Sequence, residues 1–232
     1  MADFRIINGI KIYGFKSKDE LMEFSSDQKK LLVAVNAEKI YNATEELKEV
    51  INLNIGYPDG VGAVWALHQK GMKQAVKIPG VELWLEFVNK FNKDKTFYFI
   101  GAREEIIQST IKKLKIDFPG IKLAGFRNGY FQEDERAELI EDVVRKKPDF
   151  VFVAMGSPSQ ERLMTEMASK HPSVYLGLGG SFDIYSGKTK RAPKFFLDLK
   201  LEWFYRLISE PKRAFRQVKL IDFTWKMLRK KY

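Results

Sequence analysis

Small polar residues and glycines recur where the chain leaves its short apolar runs: Asn36, Asp59-Gly60, Gly101-Ala102, Gly129-Tyr130, Gly156-Ser157 and Gly177 to Ser181. Glycine lets a backbone approach a phosphate closely, and a helix N-terminus behind it offers unpaired N–H groups. Six such places shift the reading from ordinary turns toward a phosphorylated ligand. A second set is cationic. Arg206 and Arg213 are seven residues apart and Arg216 follows three later, so one continuous helix would carry them on one face. Pro211 argues that a second helix begins near Glu210 instead. The missing types narrow the chemistry further. With no cysteine there is no disulfide, thiolate metal site or cysteine nucleophile. His68 and His171 are the only histidines and read as helix-surface residues, against a Ser-His-Asp triad. No Gly-x-Gly-x-x-Gly follows a strand and no Walker A motif occurs, which argues against NAD binding and ATP hydrolysis. No Asp-x-Asp pair is present to hold a divalent metal on a diphosphate, so cationic side chains would have to neutralise one.

The elements that must position these residues alternate along the chain. Phe4 to Ile7 and Ile10 to Tyr13 flank Asn8-Gly9, a hairpin signal. Asp19 to Lys30 reads as a helix, Leu31 to Val35 as a buried strand and Ala37 to Leu53 as one helix. Ile55 to Gly60 reads as a strand end and turn, followed by helices over Val61 to Lys70 and Val81 to Phe91. Strands over Thr96 to Ile100, Ile121 to Phe126, Phe150 to Ala154 and Val174 to Leu178 then alternate with helices over Arg103 to Ile116, Glu133 to Lys147 and Pro158 to Lys170. Repeated βα units with apolar strands predict an α/β fold: a Rossmann-like parallel sheet with helices on both faces. Such sheets bind ligands at the carboxyl ends of their strands. That is where the glycines and small polar residues fall. Asp59, between a strand and a helix, also occupies the place of an N-cap.

Charge divides the chain at Gly187. Of 232 residues with net charge +10, residues 1–187 carry 26 basic and 26 acidic side chains, and residues 188–232 carry 14 basic and 4 acidic. We therefore expect a neutral core over 1–187 and a basic amphipathic C-terminal appendage over 188–232. The appendage is also rich in Phe, Trp and Tyr, which solvated tails seldom are. Phe215, Val218, Ile221, Trp225 and Leu228 recur at helical spacing beside Lys and Arg. That pattern suits a helix lying in a lipid headgroup layer, or one packed on its own core with its basic side in water. A basic, aromatic tail also admits a nucleic-acid-binding module, but no helix-turn-helix, zinc-finger or RNP motif accompanies it. A scaffold at a membrane would use the tail without chemistry. No apolar run approaches the ~20 residues that span a bilayer, and the opening residues lack a secretory leader, so a cytoplasmic protein is expected.

Several segments together, spread in order over essentially the whole chain, resemble one family. They are Val35-Asn36-Ala37-Glu38-Lys39, Tyr57-Pro58-Asp59-Gly60, Ala154 to Glu161 (Ala-Met-Gly-Ser-Pro-Ser-Gln-Glu), Gly179-Gly180-Ser181-Phe182-Asp183, Lys190-Arg191-Ala192-Pro193 and Leu201 to Leu207. The chain resembles the WecG/TagA/CpsF family, glycosyltransferase family 26. The Asn-Ala-Glu-Lys and Met-Gly-Ser-Pro forms are most similar to the enterobacterial-type branch, which moves N-acetylmannosaminuronic acid from UDP to lipid-linked GlcNAc. The teichoic-acid branch moves N-acetylmannosamine instead.

The resemblance implies an inverting, metal-independent transferase that needs no cofactor and works in cell-envelope polysaccharide synthesis. Its partners would be a UDP-sugar donor, a polyprenyl-diphosphate-linked GlcNAc acceptor and the inner face of the cytoplasmic membrane, met through the appendage. Self-association through apolar surface that the appendage otherwise covers is also implied. Asp59 would be the general base, against its reading as a cap. Arg206, Arg213 and Arg216 would fold over the donor diphosphate, against membrane-facing or solvated charge. Asn36 would bind donor or acceptor, against a turn or cap. Gln160 would enter the pocket, against an exposed helix position. Gly101, Tyr130, Gly156, Ser157 and Asp183 would line the UDP cleft, with Tyr130 either stacking on uracil or packing in the core. Arg191, in the Lys-Arg-Ala-Pro segment, joins the binding set. One position departs from the family pattern: Lys77 stands before Ile78-Pro79-Gly80 where the family commonly has Arg. Lys keeps the charge but loses the planar fork, which bears on which sugar is taken.

Overall fold

The computed structural model describes residues 2–190 together with 192, 193, 195, 196, 205, 222, 223 and 225. The chain opens with a hairpin of β1 (Phe4–Ile7) and β2 (Ile10–Tyr13). Asn8 (φ 49°) and Gly9 (φ 76°) both take the positive φ that a two-residue type I′ turn requires. Helix α1 (Lys18–Ser25) follows, capped by Ser17, whose side chain accepts from the Glu20 N–H. It is shorter than the sequence predicts, and the Ser25 hydroxyl at its end bonds back to the Leu21 carbonyl at 2.7 Å.

Next come β3 (Leu31–Val35), α2 (Ala37–Asn42), α3 (Glu45–Leu53), β4 (Ile55–Pro58), α4 (Val61–Gln69) and α5 (Gly80–Phe91). The single helix expected over Ala37 to Leu53 is thus two. Ala43 leaves the helical region (ψ 129°), and Thr44 starts α3 by accepting from the Leu47 N–H, with Glu45 and Glu46 in its first turn. The second half adds β5 (Thr96–Gly101), α6 (Glu104–Asp117), β6 (Lys122–Arg127), α7 (Glu133–Lys146), β7 (Phe150–Ala154), α8 (Ser159–Lys170), β8 (Val174–Gly177) and α9 (Ser181–Tyr185). Helix α9 follows the last strand, where no element is expected from the sequence.

Strands β3 to β8 form one parallel sheet in the order β4-β3-β8-β7-β5-β6. Alternating side chains feed two cores. Leu31, Val33, Val35, Val151, Val153 and Tyr175 face one side, where α2, α3, α4, α7 and α8 pack. Leu32, Tyr57, Phe97, Phe99, Phe150, Phe152 and Leu176 face the other, against α1, α5, α6 and α9. The second core is aromatic: Trp84 of α5 meets Phe99, Phe152, Phe182 and Tyr185 edge-on at centroid distances of 5.0–6.3 Å. This is the Rossmann-like α/β arrangement expected, with every residue of β7 buried. The hairpin covers the β4 edge: the Lys11 carbonyl lies 2.6 Å from where a Cβ on Gly56 would stand, so only glycine fits beneath it.

Two described residues of the C-terminal segment, Asp222 and Phe223, touch the first core. The Tyr41 hydroxyl donates to an Asp222 carboxylate oxygen, and Phe223 is buried edge-on against Trp65. Among the described residues no helix is long and apolar enough to cross a membrane.

Candidate active site

A cavity of about 390 Å³ opens over the carboxyl ends of β4, β3 and β8. These three strands are neighbours in the sheet although β8 comes about 140 residues after β3 in the chain, more than half the molecule. The walls include Asn36 and Lys39 after β3, Asp59-Gly60 after β4, Lys77, Pro79, Gly80 and Val81 before and within α5, Ser157 and Gln160 after β7, and Gly177 to Ser181 after β8.

Asp59 is placed by the sheet. Its N–H donates to the Val35 carbonyl at 3.0 Å, continuing the β3–β4 ladder one residue past the strand. Its carboxylate oxygen Oδ1 accepts from the Gly80 N–H at 2.8 Å. Asp59 therefore caps α5, a helix that begins twenty-one residues later, while α4 starts at Gly60 with no side-chain cap. The Gly80 bond holds one carboxylate oxygen of Asp59 at the cavity wall, beside the positive end of the α5 dipole. Nearby the Tyr57 hydroxyl is fully buried without a hydrogen-bond partner among the described residues, 3.1 Å from where a Gly80 Cβ would lie. Burial pushes the Tyr57 hydroxyl well above the usual phenol range, and the charges of Asp59 and Glu161 add to this. It stays neutral.

Asn36 is both cap and wall: its side-chain oxygen accepts from the Lys39 N–H at 2.8 Å at the start of α2. Gln160 is not an exposed helix residue. It is 4% exposed, its Oε1 accepts from the N–H groups of Gly156 (3.2 Å) and Gly179 (2.9 Å), and it lies against the cavity. A Cβ on Gly177 would fall 2.5 Å from Gln160 Nε2, so a larger residue there would have to displace the amide.

The structure thus brings Asn36, Asp59, Lys77, Ser157 and Gln160 to one cavity. Gly101, Gly156, Tyr130 and Asp183 do not line it. Gly101 (φ 130°) packs so tightly on β7 that a Cβ would stand 2.3 Å from the Ala154 carbonyl oxygen. Gly156 (φ 79°) contributes through its N–H to Gln160. Tyr130 is 72% exposed, neither core nor cavity wall. Asp183 sits in the first turn of α9, where its carbonyl accepts from the Thr189 N–H. Arg191, Arg206, Arg213 and Arg216 lie outside the described residues. Among the described residues no three His, Cys, Asp or Glu side chains converge as a metal centre needs.

Two charged residues of the resembling segments have no expected role: Lys39, on the cavity wall, and Glu161, buried beside it. Lys39 Nζ pairs with Glu161 Oε1 at 2.8 Å, their side chains only 10% and 1% exposed. Glu161 stands three and seven residues before Met164 and Ala168, on the apolar side of α8. A carboxylate at that spacing is the signal that could have found it.

The cavity thus offers an oriented carboxylate, two lysines and glycine-rich backbone at the carboxyl ends of a parallel sheet. That combination can take up a proton from a hydroxyl and hold a phosphate-bearing ligand. A family model described as Glycosyl transferase WecG/TagA/CpsF family matches residues 7–232. That match spans nearly the whole chain, core and C-terminal segment alike, and the chain belongs to the WecG/TagA/CpsF family of glycosyltransferases.

Proposed function

We propose that this glycosyltransferase moves N-acetylmannosaminuronic acid, or N-acetylmannosamine, from UDP to polyprenyl-diphosphate-linked GlcNAc, with inversion and without a metal. The observation that carries the reading is Asp59, whose carboxylate oxygen accepts from the Gly80 N–H on the wall of the cavity at the strand ends. An acceptor hydroxyl proton passes to that carboxylate while the oxygen bonds to the anomeric carbon. The bond from that carbon to the β-phosphate oxygen breaks on the opposite side, and UDP departs with the electron pair. Attack and departure on opposite faces invert the centre. Arg206, Arg213 and Arg216 of the C-terminal segment, over residues 188–232, neutralise the diphosphate in place of a divalent ion. The basic, aromatic character of that segment supports work at the inner face of the cytoplasmic membrane.

A second reading, a related family transferase using another UDP-sugar, is favoured by Lys77, which lines the cavity where the family commonly has Arg. UDP release by detergent-solubilised protein, with either mannosamine-type donor, a lipid-diphosphate GlcNAc analogue and EDTA, separates the two. Acceptor-dependent release that survives EDTA supports the proposal. Release only with another UDP-sugar moves it to the second reading. Release that returns only when a divalent ion is restored overturns the metal-free step.

A further inference from the structure

The glycine loops after β7 and β8 are held from beneath by one side chain, and that side chain is itself held. Gln160 Oε1 receives two backbone N–H groups, from Gly156 and Gly179. Its Nε2 donates to Glu161 Oε1 at 3.2 Å. Only an amide in this one orientation satisfies all three, because both loop partners are donors and the third is a carboxylate. The Glu161 oxygen that receives Nε2 also receives Lys39 Nζ. Its other oxygen, Oε2, is buried without a partner among the described residues. A buried carboxylate so placed is costly unless a cation stays beside it. Lys39 is therefore held where it lines the cavity, and its ammonium carries two N–H donors besides the one bonded to Glu161, the one side-chain partner it has among the described residues.

We infer that Glu161 is a positioning residue, orienting the Gln160 amide that pins both glycine loops and presenting Lys39 as a cation that meets the diphosphate of the donor. Gln160, its amide oxygen taken by the two loops, shapes the cavity rather than binding substrate through that oxygen. The part concerning the diphosphate rests on the proposed UDP-sugar reading; the part concerning the loops does not.

The test uses the full-length chain with Lys39→Met and Glu161→Met combined. Replacing both members of a buried pair by apolar side chains commonly preserves folding where a single replacement strands a charge. Lys39→Arg, which keeps the charge, is the rescue variant. Two quantities are read: hydrogen exchange at the Gly156 and Gly179 amides without ligand, and UDP affinity by calorimetry. In the folded double variant we expect both amides to exchange at least about tenfold faster and UDP to bind at least about tenfold more weakly. Lys39→Arg should keep both close to wild type. Unchanged exchange and affinity in a folded double variant would reduce the pair to packing and overturn the inference. Faster exchange with unchanged UDP affinity would keep the loop role and remove Lys39 from the diphosphate. A wild-type protein that binds no UDP, while exchange still responds to the double variant, would sink the UDP-sugar reading and leave Glu161 as the residue that orders the loops.

Discussion

Replacing Asp59 separates a base from a cap, because the two roles respond differently to Asn and Ala. The carboxylate oxygen Oδ1 accepts from the Gly80 N–H at 2.8 Å. Asn keeps a carbonyl oxygen there, so at the α5 N-terminus Asp59→Asn keeps the cap and loses the charge, worth about 0.3–1 kcal/mol. Asp59→Ala also loses the capping bond, typically ~1 kcal/mol more. For a chain of this size each kcal/mol moves the melting midpoint by roughly 2–4 °C. As general base, however, the carboxylate is worth about 10²–10⁴-fold in kcat, and Asn cannot replace it. Both variants should therefore lose kcat by about 10²–10⁴-fold, while their melting midpoints rank wild type, then Asn, then Ala. The assay is acceptor-dependent UDP release at saturating donor, beside a thermal melt of the same preparations. If Asp59→Asn keeps kcat within about threefold of wild type while Asp59→Ala loses it, the residue acts as a cap and the base assignment is refuted.

The glycine positions give two sharper structural outcomes. Gly177→Ala would drive a Cβ to 2.5 Å from Gln160 Nε2, so we expect faster exchange at the Gly156 and Gly179 amides and weaker UDP binding, with little change in the melt. Gly101→Ala meets backbone at 2.3 Å with φ at 130°, so nothing flexible can yield, and a large drop in melting midpoint or in soluble yield should follow. Asp149 joins the starts of β5 and β7. Burial alone would raise its pKa, but the Thr96 N–H and hydroxyl, each 2.9 Å from Oδ2, together with Lys95, hold it below the usual carboxylate value. A depressed folded pKa adds stability above the unfolded value of about 3.9 and loses it as pH falls through the folded value. Melts of Asp149→Asn should therefore lie below wild type at pH 7 and converge with it toward pH 2–3; a gap that stays constant with pH would contradict this.

Much of this protein was legible in the chain because the signals are local. Phe150 to Ala154 is an apolar run too short for a helix and bounded by turn residues, and it is the buried strand expected. Asn8-Gly9 dictates its turn through two positive φ values, and Asn36 can cap α2 because the N–H it accepts from lies three residues ahead. The parallel sheet follows from the alternation of such elements, and with it the rule that places ligands at strand carboxyl ends. The break between α2 and α3 was readable too, since Thr44-Glu45-Glu46 is a helix start, but Ile40, Leu47 and Ile51 suggest one continuous face across it. Tertiary structure decided the rest. Asp59 caps α5 rather than the helix beside it, and Lys39 finds Glu161 122 residues away. Both follow from strand order. Only when β8 inserts between β3 and β7 do the loops after β3, β4, β7 and β8 converge, and no local periodicity encodes which strand lies beside which. Buried charge is settled by the partner that folding brings to it, and that partner is invisible to any window shorter than half the chain.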